Sequence, residues 1–235
     1  MVPYGSPPKG GWPLLAWSHG TSGVATNCAP SLMKSLFYNW EGLYEYVTLG
    51  YAVVATDYAG LGTAGRYAYL DMLSNATDVV NSVPAAHAAV PGLSQRWLVI
   101  GHSQGGLSSL GLAQLEGRIK DPNFLGTVAL AGASELQDAL DSVLKVRLPV
   151  LNGLVAFWIY GVKTVYPEFQ SKDVLTDKAL AIFATSPLKA GVALIRGLRT
   201  KPLASDHGLR GPRPANSYSL GGNHWVDREA RRAGR

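Results

Sequence analysis

Cysteine is nearly missing from this chain: Cys28 stands alone among 235 residues. One thiol excludes an intrachain disulfide framework and leaves no thiolate cluster for a structural metal. Charge is also scarce, at 16% of residues against 47% hydrophobic, which excludes a globally disordered chain. No uninterrupted apolar run approaches the ~18 residues that a membrane-spanning helix needs. The opening MVPYGSPPKGG lacks a basic stretch followed by an apolar one, so no signal peptide is read there. The five histidines lack metal-ligand spacing, so no metal is expected. No dinucleotide fingerprint or phosphate-cradling loop follows the first strand-like run, so no cofactor is expected either.

The net charge of +5 is concentrated at one end. From Arg196 to Arg235 there are eight Arg and one Lys against two Asp and one Glu, a local balance of +6, so the other 195 residues sum to −1. With only Tyr218 and Trp225 as aromatics and no nucleic-acid motif, the tail reads as a solvated or irregular end. The expectation is no nucleic-acid partner and at most an interfacial contact with lipid or membrane; the oligomeric state is left open.

What is present is an alternation of apolar runs and helical patterns. Strands are read at Pro13 to Trp17, 51–56, 96–101 and 126–131, and helices at 35–49 (closing at Gly50), 70–89 (stopped by Pro91-Gly92) and 104–119. Uniformly apolar strands alternating with helices predict an α/β fold, a mostly parallel sheet with helices on both faces, at a length that suits one domain with a sizeable core.

The stretch WLVIGHSQGGLSSL, residues 97–110, carries the chemistry. Gly101-His102-Ser103-Gln104-Gly105 fits G-x-S-x-G, in which the serine occupies a strained strand-to-helix turn and projects its hydroxyl above the sheet edge. The flanking glycines are needed because a Cβ there would collide with the neighbouring helix or strand. The N–H of Gln104 then points where an oxyanion forms. The plainer alternative is a glycine-rich turn with an inert serine. After residue 135 the rhythm changes: 136–190 is read as mostly helical, with an uncharged stretch from Pro149 to Val162 containing Phe157, Trp158 and Tyr160. It is too short to span a bilayer, and reads either as an apolar cap able to meet acyl chains or as a buried helix packed on the sheet.

Four stretches in order, WSHGTSG (17–23) with CAPS (28–31), GYAVVATDYAGLGT (50–63), GHSQGG (101–106) and VALAG (128–132), resemble an α/β-hydrolase of the secretory-lipase (lipase A-like) family. The resemblance implies an α/β-hydrolase core over 1–135 and a helical cap over 136–190, and the charge count leaves a basic tail over 191–235. It implies Ser103 as nucleophile, an oxyanion hole from the backbone N–H groups of Thr21 and Gln104, a structural His19, and a loop-organising hydrogen bond from Asp57. The family is commonly secreted, but the chain itself leaves localisation open. Cutinases share the G-x-S-Q-G elbow but are disulfide-bonded and lack the His-Gly loop.

The chain departs from the family after the cap. A hydrolase triad runs Ser, acid, His along the chain, and the family's acid motif P-L-L-x-x-x-G-x-x-D is not found. Family members are substantially longer, and the expectation is a central fragment, or a reading frame that diverges near its end, with an irregular, arginine-coated segment past about residue 196. In a working hydrolase the base would be His207, in its D-H-G setting, with His224 in GGNHW as rival. His87 lies on a helix, and His102 is fixed by the elbow with its side chain turned away from the reacting face. Glu135 and Asp138 are acid candidates, Asp206 cannot easily serve its neighbour, and the acid is unassigned. The implied activity is a serine carboxylesterase or lipase hydrolysing small-molecule esters with short- to medium-chain acyl groups through an acyl-enzyme at Ser103. The competing readings are a truncated or degenerate non-catalytic fold member that binds acyl ligands or a partner, and an acyl transferase using the same residues.

Overall fold

A computed structural model describes residues 1–39, 41–136, 138, 142, 149–177 and 180–181. Residues 191–235, read above as a basic tail, lie outside the described residues. Four strands, β1 (Trp12–Ser18), β2 (Ala52–Ala55), β3 (Leu93–His102) and β4 (Phe124–Leu130), form one sheet in the order β2-β1-β3-β4, with every pair parallel. Helices α1 (Leu43–Thr48), α2 (Met72–Ala89), α3 (Gln104–Ile119) and α4 (Pro149–Val165) complete the described elements of more than one turn.

Side-chain alternation along the strands builds two cores. Trp12, Leu14, Ala16, Trp97 and Val99 meet Ala76, Val79 and Val83 of α2 and Leu112 of α3 on one face. Leu15, Trp17 and Val53 meet Leu43 on the other, where Tyr46 and Val47 of α1 and Leu98 and Ile100 of β3 close around them. A strand apolar on both faces has no solvent side, which is why these runs do not alternate with polar residues.

The connections set where a site can form. From β1 the chain passes to β2 on one side, whereas from β3 it passes through α3 to β4 on the other. The loops after β1 and β3, neighbours in register from Leu14↔Trp97 to Ser18↔Gly101, therefore diverge and leave a crevice at the carboxyl end of the sheet. Ser103 follows one of these strands and Thr21 the other.

The helix expected over 35–49 is not continuous. Ser35–Tyr38 is a single turn with left-handed backbone at Ser35, Leu36 and Phe37, and a regular helix runs only from Leu43 to Thr48. Asn39 (φ 50°) and Gly42 (φ 71°) interrupt it, and these are the residue types that tolerate positive φ most readily. Asn39 is also occupied: its Oδ1 accepts from the N–H of Tyr44 at 3.1 Å and its Nδ2 donates to Glu45 Oε2 at 3.0 Å, so it organises the entry to α1 instead of continuing a helix. Gly50, with φ 94°, follows α1 as expected for a C′ glycine.

Helix α4, within the region read as a cap, buries Val155, Ala156 and Ile159 and packs Phe157, Trp158 and Tyr160 partly against the main core. Gly161 lets it approach closely, because a Cβ there would lie 2.2 Å from the carbonyl oxygen of Tyr69. No described helix is long and apolar enough to cross a membrane.

Two glycines of α3 should separate packing from propensity. A Cβ on Gly105 would lie 1.8 Å from Ser18 O, whereas one on Gly117 meets nothing within 4 Å. Gly105→Ala should lower unfolding free energy by about 1–3 kcal/mol or more, through overpacking against backbone. Gly117→Ala should be neutral or raise it by up to ~1 kcal/mol, since alanine is the better helix former. Urea denaturation of both variants checks this, and equal effects would contradict the contact between α3 and β1.

Candidate active site

Ser103 sits at the junction of β3 and α3 with φ 55° and ψ −117°, a conformation that costs a non-glycine residue on the order of 1–3 kcal/mol. The surroundings hold it there. Its N–H donates to Leu130 O at 2.9 Å, and its own carbonyl accepts from Leu107 N at 3.1 Å. A Cβ at Gly101 would lie 2.1 Å from Gly105 O, and one at Gly106 2.7 Å from Gly132 Cα. With Gly105 against Ser18, the first turn of α3 thus touches the ends of β1 and β3 and the segment after β4. The GHSQGG, WSHG and VALAG stretches belong together because their backbones meet here.

A serine at a helix N-cap usually spends its hydroxyl on an N–H of the first turn. Ser103 does not, and the half-buried residue's Oγ has no hydrogen-bond partner among the described residues. The N–H of Gln104, the first of α3, has no acceptor among the described residues, as the geometry of a helix N-terminus dictates. Thr21 comes alongside: its Oγ1 donates to Gln104 Oε1 at 3.4 Å and pairs with Tyr69 OH at 2.8 Å. The side chain of Gln104, 2% exposed, donates through Nε2 to Tyr67 OH and to Asn75 Oδ1 at 3.2 Å. A directional chain of hydrogen bonds therefore runs from Tyr69 through Thr21 and Gln104 to Tyr67 and Asn75. Such an arrangement can present two backbone N–H groups to an anionic oxygen beside a serine hydroxyl.

His19 is buried and lies against Tyr58, with ring centroids 4.4 Å apart. Its Nδ1 is 2.6 Å from Gly20 O and its Nε2 is 3.3 Å from Asp57 O. Both nitrogens face carbonyl oxygens, to one of which the neutral ring donates its single N–H, so neither is offered to Ser103. Burial lowers its pKa from the ordinary value, opposed by the two carbonyls and the nearby Glu41 and Asp57 carboxylates, and keeps the ring neutral. Tyr58 OH donates to His19 O at 3.0 Å and pairs with Ser18 Oγ at 2.7 Å. Asp57 accepts from Ser31 N at 2.9 Å and from Ser31 Oγ, which ties the CAPS turn to the loop after β2.

The secretory lipase family model matches residues 38–194, more than half of the chain. The chain belongs to the secretory lipase family. Solved structures place its core in the α/β-hydrolase fold. A candidate hydrolase from Legionella pneumophila aligns with TM-score 0.67 at 18% identity, covering 85% of this chain and 55% of its own. The rice cell wall degrading esterase LipA from Xanthomonas oryzae gives 0.62 at 20%, covering 85% and 56%. Candida antarctica lipase A in its closed state gives 0.56 at 15%, covering 77% and 44%. The chain spans about half the length of these structures. Comparison with curated protein sequences gave no match.

Of the residues read from the sequence, Ser103, Thr21 and Gln104 come together at the crevice. His207, His224 and Asp206 lie outside the described residues. His87 is in the last turn of α2, and Glu135 and Asp138 are exposed past β4. His102 turns its Nδ1 to Glu41 Oε1 at 3.3 Å. Among the described residues no cluster of His, Cys, Asp or Glu is arranged to hold a metal. Two concavities, of about 370 Å³ beside Asp57 and Asp78 and about 40 Å³ beside Trp17 and Glu41, are not bordered by Ser103. The sequence reading missed Glu41, Tyr67, Tyr69 and Asn75, which belong to no motif and meet the site only through folding.

The neutral, buried His19 makes stability depend on pH. Its folded pKa lies below the unfolded value of about 6.5, so the unfolded chain binds the extra proton. The stability from keeping the ring neutral is complete above that value and is lost as pH falls below it. Unfolding free energies from urea titrations between pH 8 and 5 should fall more steeply for the native protein than for His19→Gln, by at most about 1.4 kcal/mol per pH unit. Parallel curves would show that His19 is not a buried neutral group.

Proposed function

We propose that this chain is a serine carboxylesterase or lipase that hydrolyses short- to medium-chain acyl esters through an acyl-enzyme at Ser103. The observation that carries the reading is Ser103: a strained, positive-φ serine whose hydroxyl caps no helix N–H, between the N–H of Gln104 and the Thr21 loop. Likeness to an esterase and a lipase of this fold supports ester substrates. In this reading Ser103 Oγ attacks the acyl carbonyl as a histidine takes its proton. The N–H groups of Thr21 and Gln104 hold the developing oxyanion, the alcohol departs with the proton, and water releases the acid from the acyl-enzyme. His207 is the proposed base, with His224 second. The apolar face of α4 around Phe157 would meet the acyl chain.

A second reading is a non-catalytic member that binds acyl ligands. It differs from the first in having no histidine that serves Ser103, a role that His19, facing two carbonyls, and His102, facing Glu41, do not fill.

Reaction with a fluorophosphonate probe and peptide mapping separates the two. Labelling at Ser103 is expected, and none on Ser103→Ala, which should also lower p-nitrophenyl ester turnover by at least ~10³-fold without altering the circular dichroism. Turnover surviving that change within a factor of two would remove Ser103 from the chemistry.

Acyl selectivity supplies a further check. A methylene in an apolar pocket is worth about 1 kcal/mol or a little more, so rates should rise from acetate with chain length and then fall. A flat profile, or faster turnover of an aminoacyl anilide, would contradict an acyl-binding cap.

A further inference from the structure

Glu41 lies between the turn at Asn39 and α1, outside every motif named above, yet three segments converge on its carboxylate. Trp17 Nε1, from β1, donates to Oε2 at 2.8 Å. The backbone N–H of Gly20, in the turn after β1, donates to Oε1 at 2.7 Å. His102 Nδ1, from the residue before Ser103, lies 3.3 Å from the same oxygen. The side chain is 6% exposed. A carboxylate taken out of water is tolerated when donors fill its lone pairs, and here the donors come from β1, from the turn that follows it and from the last residue of β3.

The fit depends on residue type at both ends. A Cβ on Gly20 would lie 2.6 Å from Glu41 Oε1 and 3.3 Å from His102 O, so only glycine leaves room for the carboxylate. The residues on either side of Glu41 bring it in: Asn39 and Gly42 adopt left-handed backbone, and the Asn39 side chain is held by Tyr44 and Glu45. On the far side of the same turn, the Thr21 side chain is fastened to Tyr69 and Gln104. The Gly20-Thr21 peptide is thus gripped from two directions, by a carboxylate on one side and by a hydroxyl chain on the other.

We propose that Glu41 is a positioning residue that clamps the Gly20-Thr21 turn to the Ser103 elbow and thereby fixes where the Thr21 N–H stands. Its consequence for catalysis rests on the esterase reading above; the clamp itself does not. The chemistry supplies a near-isosteric probe. Trp17 Nε1 and Gly20 N are both donors, and a carboxylate accepts at both oxygens. A glutamine accepts at one end only and would turn its NH₂ toward a donor at the other.

The test compares the full chain with Glu41→Gln by amide hydrogen exchange, resolved by NMR at Gly20 and Thr21, together with p-nitrophenyl ester kinetics. Exchange at Gly20 should quicken at least ~10-fold while the β1 amides of Leu14 to Trp17 keep their native rates. Turnover (kcat) should fall about 10- to 100-fold with KM within threefold, the pattern of a misplaced oxyanion donor. Gly20→Ala, whose methyl displaces the carboxylate, should reproduce both effects. Unchanged Gly20 exchange in Glu41→Gln overturns the proposal. So does quickening spread uniformly through β1, which marks a role in folding. If the native chain neither turns over esters nor reacts at Ser103, the esterase reading falls, and the exchange data alone decide the clamp.

Discussion

The first turn of α3 rests directly on the backbone of its neighbours, and the rest of the site depends on that contact. Gly105 lies under Ser18 O, Gly101 under Gly105 O, and Gly106 against Gly132, with no space at any of these positions for a methyl group. A helix that close to a parallel sheet leaves the residue between strand and helix no ordinary backbone conformation. Ser103 takes the strained one, and its hydroxyl emerges at the carboxyl edge while the N–H groups of the helix start point the same way. The strain is sustained by hydrogen bonds to Leu130 and Leu107 and by the packed core beneath.

Above this rigid junction the loops are held by buried polar groups instead of by apolar packing alone. Tyr58, Tyr67 and Tyr69 form a ladder of rings with centroids about 6 Å apart, ending on Phe157 of α4. Each hydroxyl has a partner: Tyr58 at Ser18 and His19, Tyr67 at Gln104, Tyr69 at Thr21. Burial raises all three tyrosine pKa values, that of Tyr69 to about 12, so they remain neutral hydroxyl groups near neutral pH. The ladder also joins α4 to the crevice. The same Tyr69 whose carbonyl touches Gly161 binds the Thr21 side chain through its hydroxyl.

How much was legible before folding follows from the range of each interaction. The four strands and helices α2 and α3 follow from local apolar runs and were read within a few residues of their bounds. The helix read at 35–49 failed because periodicity there was real but Asn39 and Gly42 adopt positive φ, and their side chain and backbone find better partners outside a helix. Asp57 behaves as a loop organiser, bound to Ser31 twenty-six residues earlier. His19 holds both ring nitrogens at carbonyls, which accords with the structural role implied by the resemblance. His207, read as the base from its D-H-G setting, lies outside the described residues, and the acid found no motif, since both partners serve the serine through spatial proximity and not through their sequence neighbours.

By itself the sequence determined a parallel α/β sheet, the place of the elbow, and the requirement for glycine around Ser103. Each depends on interactions between residues close in the chain or on composition that only one environment satisfies. Tertiary structure alone decided what surrounds the elbow. Glu41, Tyr67, Tyr69 and Asn75 come from three separate segments and carry no motif, and an isolated Glu or Tyr in a sequence has many possible partners. The sheet order β2-β1-β3-β4 selects among them, because it places the loops after β1 and β3 side by side and sends them apart. A buried carboxylate or hydroxyl left without a partner is costly, so the fold in which Trp17, Gly20 and His102 all reach Glu41 satisfies a demand that the chain cannot express until those segments meet.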